Sequence, residues 1–123
     1  MGNEEKVAVL GASADPERYS NMAVALLLEH GHTVYPVTPK GGRIHGLDCY
    51  KSLPEIPEEL DTVTIYLNPG ISGKLAPQII AAHPKRIIMN PGAENPELAR
   101  QCEENGISVV QACSLVLLRT NQF

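Results

Sequence analysis

The chain has 123 residues, of which 43% are hydrophobic and 20% are charged, a composition typical of an ordinary globular protein. That length fits one domain, residues 1–123, with a core large enough to fold without disulfides or metal ions. The formal net charge of −4 argues against non-specific binding to nucleic acid, which depends on Lys and Arg side chains that neutralise phosphates. A small anionic ligand can still bind where the few cations gather, and four of them fall in loops or at helix starts: Arg18, Lys40, Arg43 and Lys74.

The amino terminus and the cysteines predict a protein of the cytoplasm. Residues 1–6 are polar and the next apolar run has only four residues, so no signal peptide is expected. No apolar run approaches the length that crosses a membrane. Cys49, Cys102 and Cys113 show no CxxC spacing and no even-numbered disulfide framework, which favours a reducing compartment.

Apolar strands alternate with helices along the whole chain. Strands are predicted at residues 6–10, 32–37, 62–67, 86–89 and 107–110. Helices are predicted at 21–30, at 72–82 and from Pro96 to Asn105, with a final helical turn at 113–118. The third helix has the clearest start, with Asn95 as its N-cap and Pro96 at its first position. Residues 38–48 are predicted as a loop rich in glycine and proline, and residues 53–57 as a short turn.

This alternation predicts an α/β fold with a Rossmann-like, open parallel sheet of five strands and helices on both faces. Right-handed crossovers give the strand order 3-2-1-4-5, in which the chain reverses direction between strands one and four. Ligands bind outside the carboxyl ends of strands at such a switch point. The loops expected to meet there are residues 11–20 and 90–95.

The turn Gly11-Ala12-Ser13 between the first strand and the first helix predicts a phosphate site. Backbone N–H groups at a helix start are unpaired, and the helix dipole favours an anion there. Ser13 adds a hydroxyl donor, and Arg18 adds a guanidinium that can bind a phosphate through two hydrogen bonds. The alternative is a purely structural turn, because a dinucleotide fingerprint would have glycines where this chain has Ser13 and Pro16.

The end of the second strand favours an adenine and a phosphate over a ribose diol. NAD selection normally uses Asp or Glu here, whereas this chain has Val37, Thr38, Pro39 and Lys40. Val37 is expected to supply an apolar wall and Lys40 a cation beside the crevice. The alternative is a plain strand end stiffened by prolines.

The segment 90–95 is expected to form the second loop of the site. Gly92 permits a positive φ or a close backbone approach, and Asn90 and Glu94 are polar neighbours without an evident structural role. Asn95 is explained by its role as an N-cap.

The remaining histidines and cysteines predict no catalytic or metal site. His30, His32, His45 and His83 lack metal-ligand spacing and are interpreted as structural or solvated. Cys113 lies near the end of the last strand, where packing is favoured over a redox role. No Ser/His/Asp set or pair of carboxylates suggests catalysis.

In this order the motifs resemble those of small stand-alone CoA-binding proteins, which are similar to the CoA-binding domain of the succinyl-CoA synthetase α subunit. The resemblance covers nearly the whole chain, and the segments that carry it are residues 9–13, 31–32, 36–40, 46, 50–53, 61–67, 90–95 and 112–116.

The resemblance implies a ligand, coenzyme A or an acyl-CoA, and a way of holding it. Residues 11–18 would take the pyrophosphate, while Val37, Pro39 and Lys40 would hold the adenine and the 3′-phosphate. Residues 66–69, with Tyr66 and Asn68, would line the path of the pantetheine arm. The family more often has Asn where this chain has Thr38. Ligase chemistry is not expected, because the synthetase's second domain with its phosphorylated histidine is not part of this sequence.

The function predicted from the sequence is therefore a non-catalytic binding module for CoA or an acyl-CoA, a small-molecule nucleotide ligand. The alternative is an NAD(H)-binding redox sensor or oxidoreductase. A third class is a regulator of a protein partner whose pocket is vestigial. No nucleic acid, membrane or metal is expected, and the sequence identifies no particular protein partner.

Overall fold

The computed structural model describes residues 4–123. Met1, Gly2 and Asn3 belong to the segment in which no signal peptide is expected, and they lie outside the described residues. The strands are β1 Lys6–Leu10, β2 Thr33–Val37, β3 Arg43–Ile44, β4 Leu47–Asp48, β5 Thr62–Ile65, β6 Arg86–Met89 and β7 Ser108–Gln111. The α-helices are α1 Tyr19–Glu29, α2 Pro69–Ser72, α3 Ala76–Ala82, α4 Pro96–Glu104 and α5 Ser114–Arg119. Short 3₁₀ turns occupy Leu53–Glu55 and Gly73–Leu75.

The five long strands form one parallel sheet, which confirms the predicted α/β class. The predicted strand order was wrong, however. The sheet runs β2-β1-β5-β6-β7, which is 2-1-3-4-5 when the long strands are counted along the chain. The third long strand lies beside β1, in register Val9 to Thr64, instead of outside β2. The chain therefore reverses direction between β1 and β5, and this is the switch point of the sheet.

Pro36 explains why β2 lies at an edge. On the inner side of β2, Thr33 and Val37 make the backbone hydrogen bonds to the β1 segment. Pro36, with the opposite orientation, has no N–H to donate to an outer neighbour, which disfavours pairing with a full strand there. Its carbonyl instead accepts a hydrogen bond from the N–H of Tyr50 at 2.9 Å, and the outer edge of β2 is covered by that loop segment.

Helices cover both faces of the sheet. On one face Ala8 and Leu10 of β1 pack in a core with Ile79 of α3 and Leu98 of α4. The opposite side chains of β1 pack against α1 and α5, in a core whose fully buried members include Val7, Val9, Val24, Leu27 and Leu118. Burying each such side chain contributes about 1.5–3 kcal/mol, so this packing holds the carboxyl ends of the strands in fixed positions.

Two connections differ from the sequence prediction. The predicted helix 72–82 is divided into α2, a 3₁₀ turn and α3, because Pro77 is accommodated in the first turn of a new helix that begins at Ala76. The predicted loop 38–48 contains the antiparallel hairpin β3–β4. By contrast α4 begins as predicted, with the Asn95 side chain accepting a hydrogen bond from the N–H of Leu98.

Helix α1 has 11 residues, and none of the helices between residues 4 and 123 is long and apolar enough to cross a membrane.

Candidate ligand-binding cleft

A cleft of about 410 Å³ opens at the carboxyl edge of the sheet, where the loops after β1, β5 and β6 meet. Parallel strands end at the same edge, so these loops are neighbours although they are far apart in sequence. Six of the residues predicted for the site line the cleft: Gly11, Ser13, Arg18, Tyr66, Asn68 and Gly92. Its other lining residues are Glu17, Tyr19, Ser20, Leu67, Pro91 and Ala93.

The glycine turn is held against both neighbouring strands. Gly11 has φ +91°, and a Cβ atom at this position would lie 2.9 Å from Cδ2 of Leu67 in the loop after β5. The N–H groups of Gly11 and Ala12 donate to the carbonyl of Val37, at 3.1 and 3.0 Å. These two amides therefore join the loop to β2 and are already engaged within the protein.

The groups that can receive an anion follow directly. The Oγ of Ser13 accepts a hydrogen bond from the N–H of Asp15 at 3.1 Å, which leaves its own O–H free to donate. Within residues 4–123, the guanidinium of the exposed Arg18 makes no hydrogen bond or ion pair. At the start of α1, the N–H groups of Tyr19 and Ser20 have no acceptor in that same range, as expected for the first turn of a helix. Hydroxyl, guanidinium and helix dipole are thus placed together at one side of the cleft.

The loop after β5 forms a more apolar wall of the cleft, which is lined by Tyr66, Leu67 and Asn68. The Tyr66 hydroxyl is buried and makes no hydrogen bond within the described residues. Burial raises the pKa of Tyr66 to about 12, so its phenol is neutral at physiological pH. The nearby hydroxyls of Thr64 and Ser114 are bonded to each other at 2.8 Å. Tyr66 therefore offers its ring to the cleft, while Asn68 caps α2 by accepting a hydrogen bond from the N–H of Ile71.

The loop after β6 contains two predicted ligand residues that already have structural partners. Asn90 is 1% exposed. Its side chain donates to Thr64 Oγ1 at 2.7 Å and to the carbonyl of Ile65 at 2.9 Å, and it accepts from the N–H of Ser114 at 2.8 Å. Asn90 thus joins β5, β6 and the start of α5, a structural role that the sequence did not reveal.

Glu94 likewise has a local partner, because its carboxylate accepts a hydrogen bond from the N–H of Gly92 at 2.9 Å. Gly92 has φ +90° and open space around its Cα, and it faces the cleft. Glu94 is exposed beside it.

The residues predicted to hold adenine lie on the β2 side of the glycine turn and do not line the cleft. Val37 is 3% exposed and belongs to the core, which differs from the apolar ligand wall expected for it, because Ile65 and Leu10 pack on the same face. Pro39 and Lys40 are exposed in the loop that follows, and Lys40 has no ion pair in the described part of the chain. A ligand that contacts both Lys40 and the cleft must pass over the glycine turn.

Sequence reasoning included Glu17 and Leu67 in the segments 11–18 and 66–69, but it did not single out Tyr19 as a lining residue. Tyr19 is 68% exposed although it is the first residue of α1. An aromatic side chain directly after Arg18 at a helix start is the signal that could have identified it. Glu17 contributes a carboxylate to the lining of the cleft, and its negative charge repels an anion.

Two histidines away from the cleft have structural partners. His32 Nδ1 accepts from the N–H of Glu5 at 3.0 Å, and His83 Nε2 lies 2.9 Å from the carbonyl of Asn105. Burial raises the pKa of the Cys102 thiol, which is fully enclosed. Within residues 4–123 no group of three or more His, Cys, Asp or Glu side chains is arranged to hold a metal ion.

The fold and the cleft define a Rossmann-like α/β protein whose carboxyl edge carries a helix start flanked by an arginine. The chain belongs to the CoA-binding domain family, whose model matches residues 5–119.

Relatives and solved structures extend this result. The chain is 29% identical to the α subunit of ADP-forming acetate–CoA ligase I from Pyrococcus furiosus, in a match that covers 98% of this chain and 28% of the ligase subunit. The crystal structure of an uncharacterised protein superposes with a TM-score of 0.94 at 39% identity, covering 99% of this chain and 100% of that one. A hypothetical protein from Pyrococcus horikoshii superposes with a TM-score of 0.90 at 31% identity. That match covers 96% of this chain and 84% of the other one. The chain thus spans little more than a quarter of the length of the ligase subunit.

Proposed function

We propose that this protein binds coenzyme A or an acyl-CoA along the carboxyl edge of its sheet and has no catalytic activity of its own. The observation that carries the proposal is the side of the cleft where the Ser13 hydroxyl, the unpaired Arg18 guanidinium and the first N–H groups of α1 lie together. This set suits a pyrophosphate, and membership of the CoA-binding domain family selects CoA among pyrophosphate ligands.

The pantetheine arm would leave the phosphates toward the loops after β5 and β6. Tyr66, Leu67 and Ala93 give that part of the cleft an apolar lining, which suits a chain of methylene and amide groups. Asn68 and Gly92 add polar groups at its rim. The thiol or acyl end would then lie farthest from Arg18.

The adenine and its 3′-phosphate would lie on the other side of the glycine turn. Pro39 offers an exposed apolar surface there, and Lys40 a cation without a partner in the described range. From β2 to β6 the ligand would cross three strand intervals, about 14 Å. Only an extended ligand contacts both ends, and CoA is extended. NAD is less favoured because the chain carries Thr38, Pro39 and Lys40 after β2, with no carboxylate to accept ribose hydroxyls.

The catalytic chemistry of the acetate–CoA ligase is not assigned to this chain, because the match covers 28% of that subunit. Glu17 is the lining carboxylate, and it lies beside the proposed pyrophosphate position. The free thiols of Cys49, Cys102 and Cys113 fit the cytoplasmic setting that we propose.

Isothermal titration calorimetry with CoA, acetyl-CoA and NAD tests the proposal. CoA or acetyl-CoA should bind more tightly than NAD at the same ionic strength, and native mass spectrometry of the purified protein should detect a co-purified CoA species. Tighter binding of NAD than of CoA would reverse the assignment. An absence of heat with all three ligands would contradict the proposal. It would favour the alternative in which the protein regulates a protein partner and its pocket is vestigial.

A further inference from the structure

A buried asparagine connects the glycine turn to the β3–β4 hairpin. Asn21, in the first turn of α1, is 6% exposed. Its Nδ2 donates to the carbonyl of Ser13 at 2.9 Å, and its Oδ1 lies 2.8 Å from Nε2 of His45. Since a carbonyl can only accept, the Asn21 amide is oriented with Nδ2 toward Ser13. Its Oδ1 therefore faces His45, and the Nε2 of His45 must be the donor.

This connection fixes the direction of one backbone amide in the predicted phosphate loop. The Ser13 carbonyl and the N–H of Ala14 belong to the same planar trans peptide, so they point in opposite directions. With the carbonyl held toward Asn21, the Ala14 N–H is directed away from the protein interior. Ala14 is exposed, and its N–H has no acceptor within residues 4–123.

Most of the other amides in this loop are already bonded. The N–H of Asp15 donates to Ser13 Oγ, that of Glu17 to Asp15 Oδ1 and that of Arg18 to the Asp15 carbonyl. Pro16 has no N–H to donate. The Ala14 amide is therefore a donor that the loop itself leaves unused and that the Asn21 contact aims outward.

The hairpin supports the same interpretation. His45 has φ +49° and Gly46 has φ +81°, as in a two-residue type I′ turn. Asn, Asp or Gly is preferred at the first of these positions, so the turn tolerates a histidine but does not require one. Ile44 anchors the hairpin in the core at 4% exposure, and Arg43 Nη2 donates to the carbonyl of Gly46 at 2.6 Å. The histidine is thereby held at the hairpin apex with its ring against Asn21.

We infer that Asn21 and His45 are positioning residues, which hold the peptide after Ser13 so that the Ala14 N–H donates to a phosphate of the bound ligand. This inference rests on the proposed function, because it requires a ligand with a pyrophosphate. The β3–β4 hairpin then belongs to the ligand site although it does not line the cleft.

The test uses variants that keep the hairpin conformation. His45→Asn and His45→Gly both suit the left-handed turn, and neither side chain reaches Asn21. We expect them to stay folded, with a thermal midpoint close to that of the parent because the better turn residue offsets the hydrogen bond that Asn21 loses, while CoA affinity falls about three- to ten-fold, the effect of one hydrogen bond. His45→Gln carries an amide donor of similar reach and should restore most of the affinity. His30→Asn is the matched control, because His30 is an exposed histidine at the end of α1 whose side chain makes no hydrogen bond in the described residues.

The Ala14 amide gives a direct readout. In ¹H–¹⁵N spectra of the parent protein, titration with CoA or with inorganic pyrophosphate should shift the Ala14 resonance downfield, and His45→Asn should reduce that shift. A parent-like CoA affinity and Ala14 shift in His45→Asn would overturn the inference. If Ala14 responds to pyrophosphate while CoA does not bind, the proposed function fails and the positioning role stands. If Ala14 responds to neither ligand in the parent, the positioning role itself fails.

Discussion

Gly11 and Leu67 lie so close together that a methyl group on Gly11 would meet Cδ2 of Leu67 at 2.9 Å. The contact joins the turn after β1 to the loop after β5, the two strands between which the sheet reverses direction. Both residues line the cleft, so the spacing of its walls depends on the absence of a side chain at Gly11. Gly11 is therefore needed for packing between loops, in addition to its left-handed backbone.

Two glycines with nearly the same φ allow the cost of backbone strain to be separated from the cost of the contact between the loops. Gly11 has φ +91° and Gly92 has φ +90°, but a Cβ on Gly92 would have no heavy atom within 4 Å. We expect Gly92→Ala to lower the free energy of unfolding by about 1–2 kcal/mol through backbone strain alone. Gly11→Ala should cost more, by about 1 kcal/mol or above, because Leu67 must also move. Urea denaturation of the two variants measures the difference, and an equal or larger loss for Gly92→Ala would contradict it.

Replacing Arg18 tests the proposed pyrophosphate position. Charge-assisted hydrogen bonds contribute about 1.5–3 kcal/mol each, so Arg18→Ala should weaken CoA binding about ten-fold or more. The protein is net acidic, so long-range attraction cannot replace this local contact. Arg119→Ala is the control, since Arg119 is an exposed arginine at the far end of α5. Calorimetry that finds the same affinity for both variants would place the pyrophosphate elsewhere.

Lys40 is predicted to bind the 3′-phosphate of CoA. Lys40→Ala should weaken binding of CoA about ten-fold, but it should hardly affect dephospho-CoA, which lacks that phosphate. Lys85→Ala, at the amino edge of the sheet in an ion pair with Asp61, should change neither affinity. An equal loss for CoA and dephospho-CoA in Lys40→Ala would show that Lys40 does not bind the 3′-phosphate.

His32 predicts a loss of stability in mild acid. Partial burial lowers the pKa of His32 below its ordinary value of 6.5, and its Nδ1 must stay unprotonated to accept from the N–H of Glu5. The unfolded chain therefore takes up the proton first as the pH falls below about 6.5, which favours unfolding. The stabilising effect is complete above that pH and is lost as the pH falls toward the lowered value.

Urea denaturation between pH 7 and pH 5 measures this effect. In His32→Asn the amide oxygen takes the place of Nδ1 and can accept from the N–H of Glu5 without titrating, so the variant should lose less stability than the parent over that range. A parent-like slope in His32→Asn would assign the pH dependence to other groups.

Where structure depends on neighbouring residues, it could be predicted from the sequence. Asn95 and Pro96 start α4 as expected, because an N-cap and a proline at the first position act within one helical turn. The glycine turn and the parallel sheet follow in the same way from an apolar strand, Gly11 and a helix. Hydrophobic alternation therefore predicted the α/β class and the edge of the sheet where the cleft lies.

The prediction of individual ligand residues required contacts between distant segments. Nothing near Asn90 in the sequence indicates that its side-chain amide is hydrogen-bonded to Thr64, Ile65 and Ser114, since those partners are 24 to 26 residues away. Val37 has an ordinary strand-end sequence, and only packing with the neighbouring strands removes its side chain from the surface.

The amino-acid sequence by itself determined the five long strands and the start of α4, and it predicts anion binding where α1 begins, because these properties arise from backbone hydrogen bonding within a few residues. Tertiary structure decided that β5 lies between β1 and β6 instead of outside β2, where Pro36 removes one of the outward N–H donors that a second neighbouring strand would need. It also decided that His45 reaches the loop that contains Ser13, since 24 residues separate His45 from the asparagine that connects them. Contacts of that kind form only when the packed core brings the hairpin and α1 together.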